Sequence, residues 1–352
     1  MKSSAVAVPL FGLLVLLLVL LLLSGTPTQQ PVARQPTQRG NDTATTRSHR
    51  TCYAPPSFES YVREWYDETV RQRGQRELGK LFEVTRDPVP IVLWISPQFD
   101  FQQESFAEQA ITALFRQLCS RHCRDKHSLV LDMGANEGVY AMLASAYGCR
   151  VISFEPQPGC VRPLAGAIGL NRIEPAVDLR QRVVTADEGF SVRVPDKTCR
   201  GTAHYGGPRG FAVGERDTPV PLAEQDDSVL VEAQALDSVV CDGDNLLLWH
   251  VDVEAHETAV LDSSAQLITT RRARNLIIEW TPSKGPTWNG VAASEWIRWG
   301  RAIDAAGYAC YSLSEGLRAG GTLARDWQWA GKDHDVFCTL QEQSAMIRVK
   351  NL

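Results

Sequence analysis

The 352-residue chain has no basic surplus: 36 lysines and arginines stand against 41 aspartates and glutamates, a formal net charge of −5. A nucleic-acid surface needs a basic stripe, so no nucleic-acid partner is expected. Charge of either sign is missing from residues 5–23, and residues 13–23 are unbroken leucine and valine. These 19 residues nearly span a bilayer core and exceed the apolar length of most cleaved signal peptides. Only Lys2 and the amino terminus precede the run, and no basic residue follows until Arg34. That bias favours an N-in orientation with the rest of the chain outside the cytosol. Cleavage is the competing reading, because Ser24-Gly25-Thr26 are small enough for a signal peptidase site. Apolar residues are scarce over 25–51, which cannot bury enough surface to offset chain entropy and is expected to be a disordered stalk. The stalk carries the chain's one N-x-[ST] sequon, Asn41-Asp42-Thr43.

What the remainder does have is concentrated between Ser128 and Pro156. The apolar run Leu129-Val130-Leu131 closes on Asp132, as a buried parallel strand would. The turn Gly134-Ala135-Asn136-Glu137-Gly138 follows, then an apolar helical segment, then the β-branched run Val151-Ile152-Ser153-Phe154 closing on Glu155. Strand, glycine turn, helix, strand and terminal acid make the nucleotide-binding half of a doubly wound α/β sheet. Glu155 lies 17 residues past Gly138, where such folds place the carboxylate that accepts the ribose hydroxyls. The middle glycine of a dinucleotide fingerprint is absent, with Asn136 in its place. Asp132 and Glu137 beside the turn would repel a pyrophosphate but suit the ammonium and sulfonium of S-adenosylmethionine. The bland alternative is a βαβ unit that happens to carry glycines in its first turn.

Downstream the pattern alternates, as a parallel sheet requires. Helix is expected over 158–170, a third strand over 177–185 and a short hairpin strand over 190–194. Strands over 246–251 and 276–278 end at Asp252 and Glu279. A helix over 293–306 leads to strands over 309–313 and 336–340. Upstream, helix is expected over 58–81, strand over 90–96 and helix over 106–118. Four strand-terminal acids, Asp132, Glu155, Asp252 and Glu279, thus gather where ligands bind in open α/β sheets. Helix capping accounts for one such acid, hardly for four. The stretch 195–227, with five glycines and four prolines, is either a mobile lid on that side or disordered. Trp296 and Trp299 are three apart on a helix and belong to the core; Trp280, Trp288, Trp327 and Trp329 are candidates for stacking on a sugar face.

At this point a family resemblance is specific. The pattern D-x-G-A-N-x-G at 132–138, F-E-P at 154–156, Leu170-Asn171, Leu236-Asp237-Ser238, and the block His250-Val251-Asp252-Val253-Glu254-Ala255-His256-Glu257 resemble motifs of the FkbM family of O-methyltransferases. Asn275-Leu276-Ile277-Ile278-Glu279 resembles a further one, and the likeness runs in register over about 128–340. His250 stands where the family usually has lysine, and Ala255 where it has glycine. The resemblance implies a class I methyltransferase (Rossmann-like) doubly wound sheet with a final antiparallel strand pair. It implies S-adenosylmethionine as cofactor, held by Asp132, Gly134, Asn136, Gly138 and Glu155. The expected organisation is a cytoplasmic tail at 1–4, a transmembrane signal anchor at 5–23, the stalk at 24–51, a cap segment at 52–127 and the methyltransferase domain at 128–345.

A tail, an anchor, a stalk and a catalytic domain form the plan of Golgi glycan-modifying enzymes. The expectation is therefore a single-pass type II protein of the secretory pathway, lumenal in its catalytic domain, methylating a hydroxyl of a glycan or glycoconjugate. Two other readings stand beside it: a secretory glycan-binding protein with a degenerate cofactor site, and a nicotinamide-dependent oxidoreductase. A sugar hydroxyl needs a base within reach. Asp252 is the first choice to position the acceptor, His250 or His256 the candidate base, with Glu254 and Glu279 nearby. Nine cysteines suit an oxidising compartment, and the odd number leaves at least one thiol unpaired. Cys119 and Cys123 flank His122, but zinc needs ligands that the neighbouring sequence lacks, so no metal site is expected. Cys149 and Cys160 are buried thiols or bridge partners. Cys310 and Cys338 lie in the last two strands, antiparallel neighbours in this fold, and form either a cross-strand bridge or two buried thiols, according to register.

Overall fold

The computed structural model describes residues 80–84, 91–95, 106–124, 127–186, 191–195, 199, 228–284, 286, 291–313 and 333–340. The apolar run 5–23, the stalk with Asn41, Trp288, Trp327, Trp329 and nearly all of 196–227 lie outside these residues. Among the described residues no helix is long and apolar enough to cross a membrane.

Strands β1 (Lys80–Val84) and β2 (Ile91–Ile95) pair antiparallel as a separate two-stranded sheet. The helix expected over 58–81 lies outside the described residues except for Lys80 and Leu81, which belong to β1. Helix α1 (Phe106–His122) buries Ala110, Ile111, Leu114, Phe115 and Leu118, one face at helical spacing. Strand β3 (Ser128–Met133) is buried at every position, because it lies mid-sheet with helices on both sides. Helix α2 (Val139–Ala146), strand β4 (Arg150–Phe154), helix α3 (Pro158–Asn171) and strand β5 (Val177–Arg180) continue the alternation. Proline at the first position of α3 costs nothing there, since its missing N–H would have had no helical partner.

Strand β5 is shorter than expected. Val183–Val184 (β6) leave the main sheet and pair with a strand not foreseen, β8 (Ser228–Gln234), which also pairs antiparallel with β7 (Ser191–Pro195). The break has a packing cause. Val183, Val192, Val194 and Val231 bury one another in a small core of their own, while Val184 packs into the core of the main sheet. The remaining elements are β9 (Asn245–Val251), α4 (Glu257–Asp262), α5 (Ala265–Thr269), β10 (Asn275–Trp280), α6 (Ala293–Ala305), β11 (Tyr308–Ser312) and β12 (His334–Leu340).

The main sheet has the order β11-β12-β10-β9-β3-β4-β5, with β12 antiparallel to both its neighbours and the other described pairings parallel. One core on one face joins α1, α2 and α3 through Phe115, Met142, Leu143, Leu164 and Ile168. The other joins α4, α5 and α6 through Val260, Leu267, Trp296, Trp299 and Ile303. Both faces are therefore covered, which is the doubly wound arrangement expected. From β3 the chain proceeds to β4 on one side and later to β9 on the other, so the strand order reverses at β3/β9. The carboxyl ends of these two strands open the crevice where such sheets bind ligands.

Cysteines brace this frame. Cys123–Cys149 ties the end of α1 to the start of β4, Cys160–Cys199 ties α3 to the segment after β7, and Cys310–Cys338 joins β11 to β12. Cys310 and Cys338 are directly opposed in register, which settles the bridge in favour of pairing. Cys241 is bridged as well, while Cys119 is a buried free thiol. The sulfurs of Cys119, Cys123 and Cys149 lie together, but the Cys123–Cys149 bond occupies two of them.

Candidate active site at the switch point

The turn after β3 owes its shape to three left-handed residues at alternate positions: Gly134 (φ 79°), Asn136 (φ 51°) and Gly138 (φ 84°). Glycine takes this conformation without strain, and asparagine tolerates it better than most residues. A Cβ on Gly134 would sit 1.8 Å from the Asp252 carbonyl oxygen, and one on Gly138 would sit 2.0 Å from Leu164 Cδ1. The glycines thus let the turn close on β9 and α3. The G-x-N-x-G pattern is explained by backbone geometry before any ligand is considered.

Glu155 follows β4 and is buried. Its Oε2 accepts the N–H of Asn136 at 2.8 Å and its Oε1 the N–H of Gln157 at 2.8 Å. The carboxylate is fixed in orientation, and each oxygen keeps lone-pair capacity for a further donor. Burial pushes its carboxyl up to about 7, against the pull of those two backbone bonds. Asn136 Oδ1 lies 2.9 Å from Cys199 Sγ, so the Cys160–Cys199 bridge rests against the turn.

Register organises the acids. Asp132 is level with His250, His250 with Ile277, and Ile277 with Phe337 across the four central strands. In that row His250 Nδ1 meets Asp132 Oδ1 at 2.8 Å, and the ring packs edge-on against Phe115 of α1 and Tyr140 of α2. Asp132 and His250 are both buried, and Ser153 Oγ stands 3.5 Å from the other Asp132 oxygen. Asp132 therefore orients His250.

Two residues nearer the crevice come Gly134 and Asp252, just past the ends of β3 and β9, and Glu279 and Asp335, within β10 and β12. Glu279 faces Asp335 across the antiparallel pair. Carboxylate oxygens of Asp252, Glu257 and Glu279 lie within 4.8 Å of one another. Glu257, the first residue of α4, bonds back through Oε1 to the N–H groups of Val253 (3.0 Å) and Ala255 (3.2 Å). That return folds 252–257 into a tight turn with Glu254 and Ala255 left-handed (φ 55° and 73°). The position where the resemblance puts glycine is thus one whose backbone wants glycine.

Burial, followed by the charges of Glu279, Glu254, Asp335 and Glu257, holds the Asp252 carboxyl well above the usual range. Burial and then Glu279 push Glu254 to about 7, with Lys284 opposing. Burial disfavours the Lys284 ammonium, but its 2.9 Å bond to Glu279 Oε1 outweighs this and raises its pKa. His256, just before α4, is driven down to about 4 by burial and is neutral near pH 7. The structure thus brings Asp252 and Glu279 together and sets His250 one row deeper. Glu257 was visible in the sequence motif but not singled out; its position three and four residues ahead of the apolar pair Val260-Leu261 was the available signal. Trp280 is a correction: it is fully buried edge-on against Trp296, 5.1 Å between centroids, and offers no face to a sugar.

The sequence profile described as the methyltransferase FkbM domain matches residues 132–309, just over half of the chain. The chain belongs to the FkbM methyltransferase family. It is an S-adenosylmethionine-dependent methyltransferase, which sets aside the binding-protein and oxidoreductase readings. Among curated proteins none matches this FkbM methyltransferase. Solved structures similar to it include an S-adenosylmethionine-dependent methyltransferase from Agrobacterium tumefaciens, 10% identical, with 75% of this chain and 71% of that one covered and a TM-score of 0.35. Another is an O-methyltransferase from Bacillus cereus in complex with S-adenosylhomocysteine, 9% identical, covering 68% of this chain and 92% of that one, TM-score 0.32. The family assignment rests on the sequence profile.

The residues at the switch point fit the cofactor. Glu155 is a fixed acceptor pair of the kind a ribose diol requires, and it is bonded to the left-handed turn through the N–H of Asn136.

Proposed function

We propose that this FkbM methyltransferase methylates a hydroxyl group of a glycan or glycoconjugate in the lumen of the secretory pathway. The observation that carries the reading is the row of carboxyls, Asp252 and Glu279 with Glu257 behind them, beside the turn that Glu155 braces. S-adenosylmethionine, when bound, supplies an electrophilic methyl group. Glu155 would hold its ribose hydroxyls, next to the 134–138 turn. Methyl transfer is an in-line displacement, so the acceptor oxygen must be held on line and dehydrated. In this reading Asp252 orients the acceptor hydroxyl and, in its ionised form, receives the proton, with Glu279 adjoining. His256, neutral with a pKa of about 4, is a weak base near pH 7. His250, paired with Asp132 behind two aromatic rings, supports the row from beneath.

The cellular setting is proposed on separate grounds. Residues 5–23 act as an uncleaved signal anchor, making a single-pass type II protein, with Golgi the natural residence for a stalked glycan-modifying domain. Three described disulfides support an oxidising compartment. The test is incubation of the purified chain with S-adenosylmethionine carrying an isotopic methyl group and a mixture of glycoprotein glycans. Label is expected on glycan hydroxyls and absent with Asp252→Asn. Label appearing only on protein side chains would overturn the acceptor assignment.

A further inference from the structure

Among the described residues, Lys284 is the cation that acts on the carboxyl row. Asp252, Glu254, Glu257 and Glu279 stand together, with Asp335 opposite Glu279, and Lys284 pairs with Glu279 Oε1. Glu257 has no exposed surface; both its backbone bonds go to Oε1, and its Oε2 has no hydrogen-bond partner. Glu279 Oε2 is likewise buried without one, while its Oε1 holds Lys284. Buried anionic oxygens left without donors are expensive, and three converging within 4.8 Å repel one another. The Lys284 ammonium on Glu279 Oε1 leaves Glu257 Oε2 and Glu279 Oε2 without a donor.

We propose that Asp252, Glu257 and Glu279 form a binding site for a hard divalent cation of the Mg²⁺ class. The donor set is all oxygen and all carboxylate, as that class prefers, with no thiol or imidazole in it. Three ligands from one side leave coordination positions toward the crevice, where water or an acceptor hydroxyl completes the shell. The ligands come from rigid supports: the end of β9, the penultimate residue of β10 and the first residue of α4. The Glu257 return bonds fix the turn that joins two of them. A cation at this point would act on the acceptor side, polarising a hydroxyl that Asp252 alone would otherwise address. The binding claim stands apart from the identity of the acceptor.

Mn²⁺ serves as the probe, because its free form is counted directly by electron paramagnetic resonance. The full chain, titrated without cofactor or acceptor, is expected to bind one Mn²⁺ saturably, with Mg²⁺ competing. Glu257→Gln keeps an oxygen for the two backbone N–H groups but loses the charge, and should weaken Mn²⁺ binding by at least about tenfold. Glu279→Gln, which supports no backbone bond, should do the same and covers the case in which the first variant fails to fold. No saturable Mn²⁺ binding by the parent, or unchanged binding in a folded Glu279→Gln variant, would overturn the site. Neither outcome depends on whether the acceptor is a glycan.

Discussion

Replacing Glu155 tests the cofactor end of the site. Its two oxygens are each anchored 2.8 Å from a backbone N–H, of Asn136 and of Gln157, so the remaining lone pairs point in a fixed direction. Each charge-assisted bond to a ribose hydroxyl contributes roughly 1.5–3 kcal/mol. Loss of one bond's worth corresponds to about 10- to 150-fold in affinity, so Glu155→Ala should weaken S-adenosylmethionine binding by at least tenfold. Glu155→Gln is a sharper probe: its amide nitrogen must face one of the two backbone donors, so it should bind poorly despite its similar shape. The pH dependence has a definite sign. Burial raises the carboxyl to about 7 in the folded chain against an ordinary value of 4.5, so without ligand the folded state binds more protons between those values. Stability from this group is present at low pH and lost as pH rises through about 7. Cofactor binding wants the ionised form and should strengthen over the same rise, with no such trend in Glu155→Gln. Calorimetric titration between pH 6 and 8, with folding checked by circular dichroism, decides it. Unchanged affinity in a folded Glu155→Ala variant would remove this residue from the site.

Three further outcomes are expected. Ala255→Gly relieves a left-handed alanine, worth roughly 1–2 kcal/mol, against a glycine entropy cost of about 0.5–1, so the thermal midpoint should rise slightly; a fall would refute the strain. Cys310→Ala/Cys338→Ala opens a bridge of sequence separation 28 and should cost about 3.5 kcal/mol on loop entropy, read by urea unfolding; recovery of both cysteines alkylated without prior reduction in the parent would sink the bridge. In sealed microsomes the catalytic domain should resist added protease and carry an endoglycosidase-sensitive glycan that Asn41→Gln removes; digestion of the domain would reverse the orientation.

Much of this site was legible because its signals are local. Leu129 to Asp132, the 134–138 turn and Glu155 lie on one βαβ unit, where pattern and spacing translate directly into geometry. The alternation put His250 and Asp252 on one phase of a strand; β9 ends at Val251, so the register includes His250 but not Asp252. What pattern alone could not supply were relations across the sheet. The pairing of Asp132 with His250 joins residues 118 apart, and Glu279 opposite Asp335 depends on β12 inserting between β10 and β11. Strand β8 was missed although Val229 and Val231 alternate, because a glycine- and proline-rich stretch ends just before it. Trp280 looked like a loop residue only because β10 was expected to stop at Ile278; two more residues of strand turn it into core.

The most direct test of hydroxyl methylation in the secretory pathway is a mass profile of glycans from cells expressing the parent chain, Asp252→Asn, or neither. Glycans heavier by one methyl group are expected with the parent chain alone. Profiles identical across the three, with the parent chain present and folded, would contradict it.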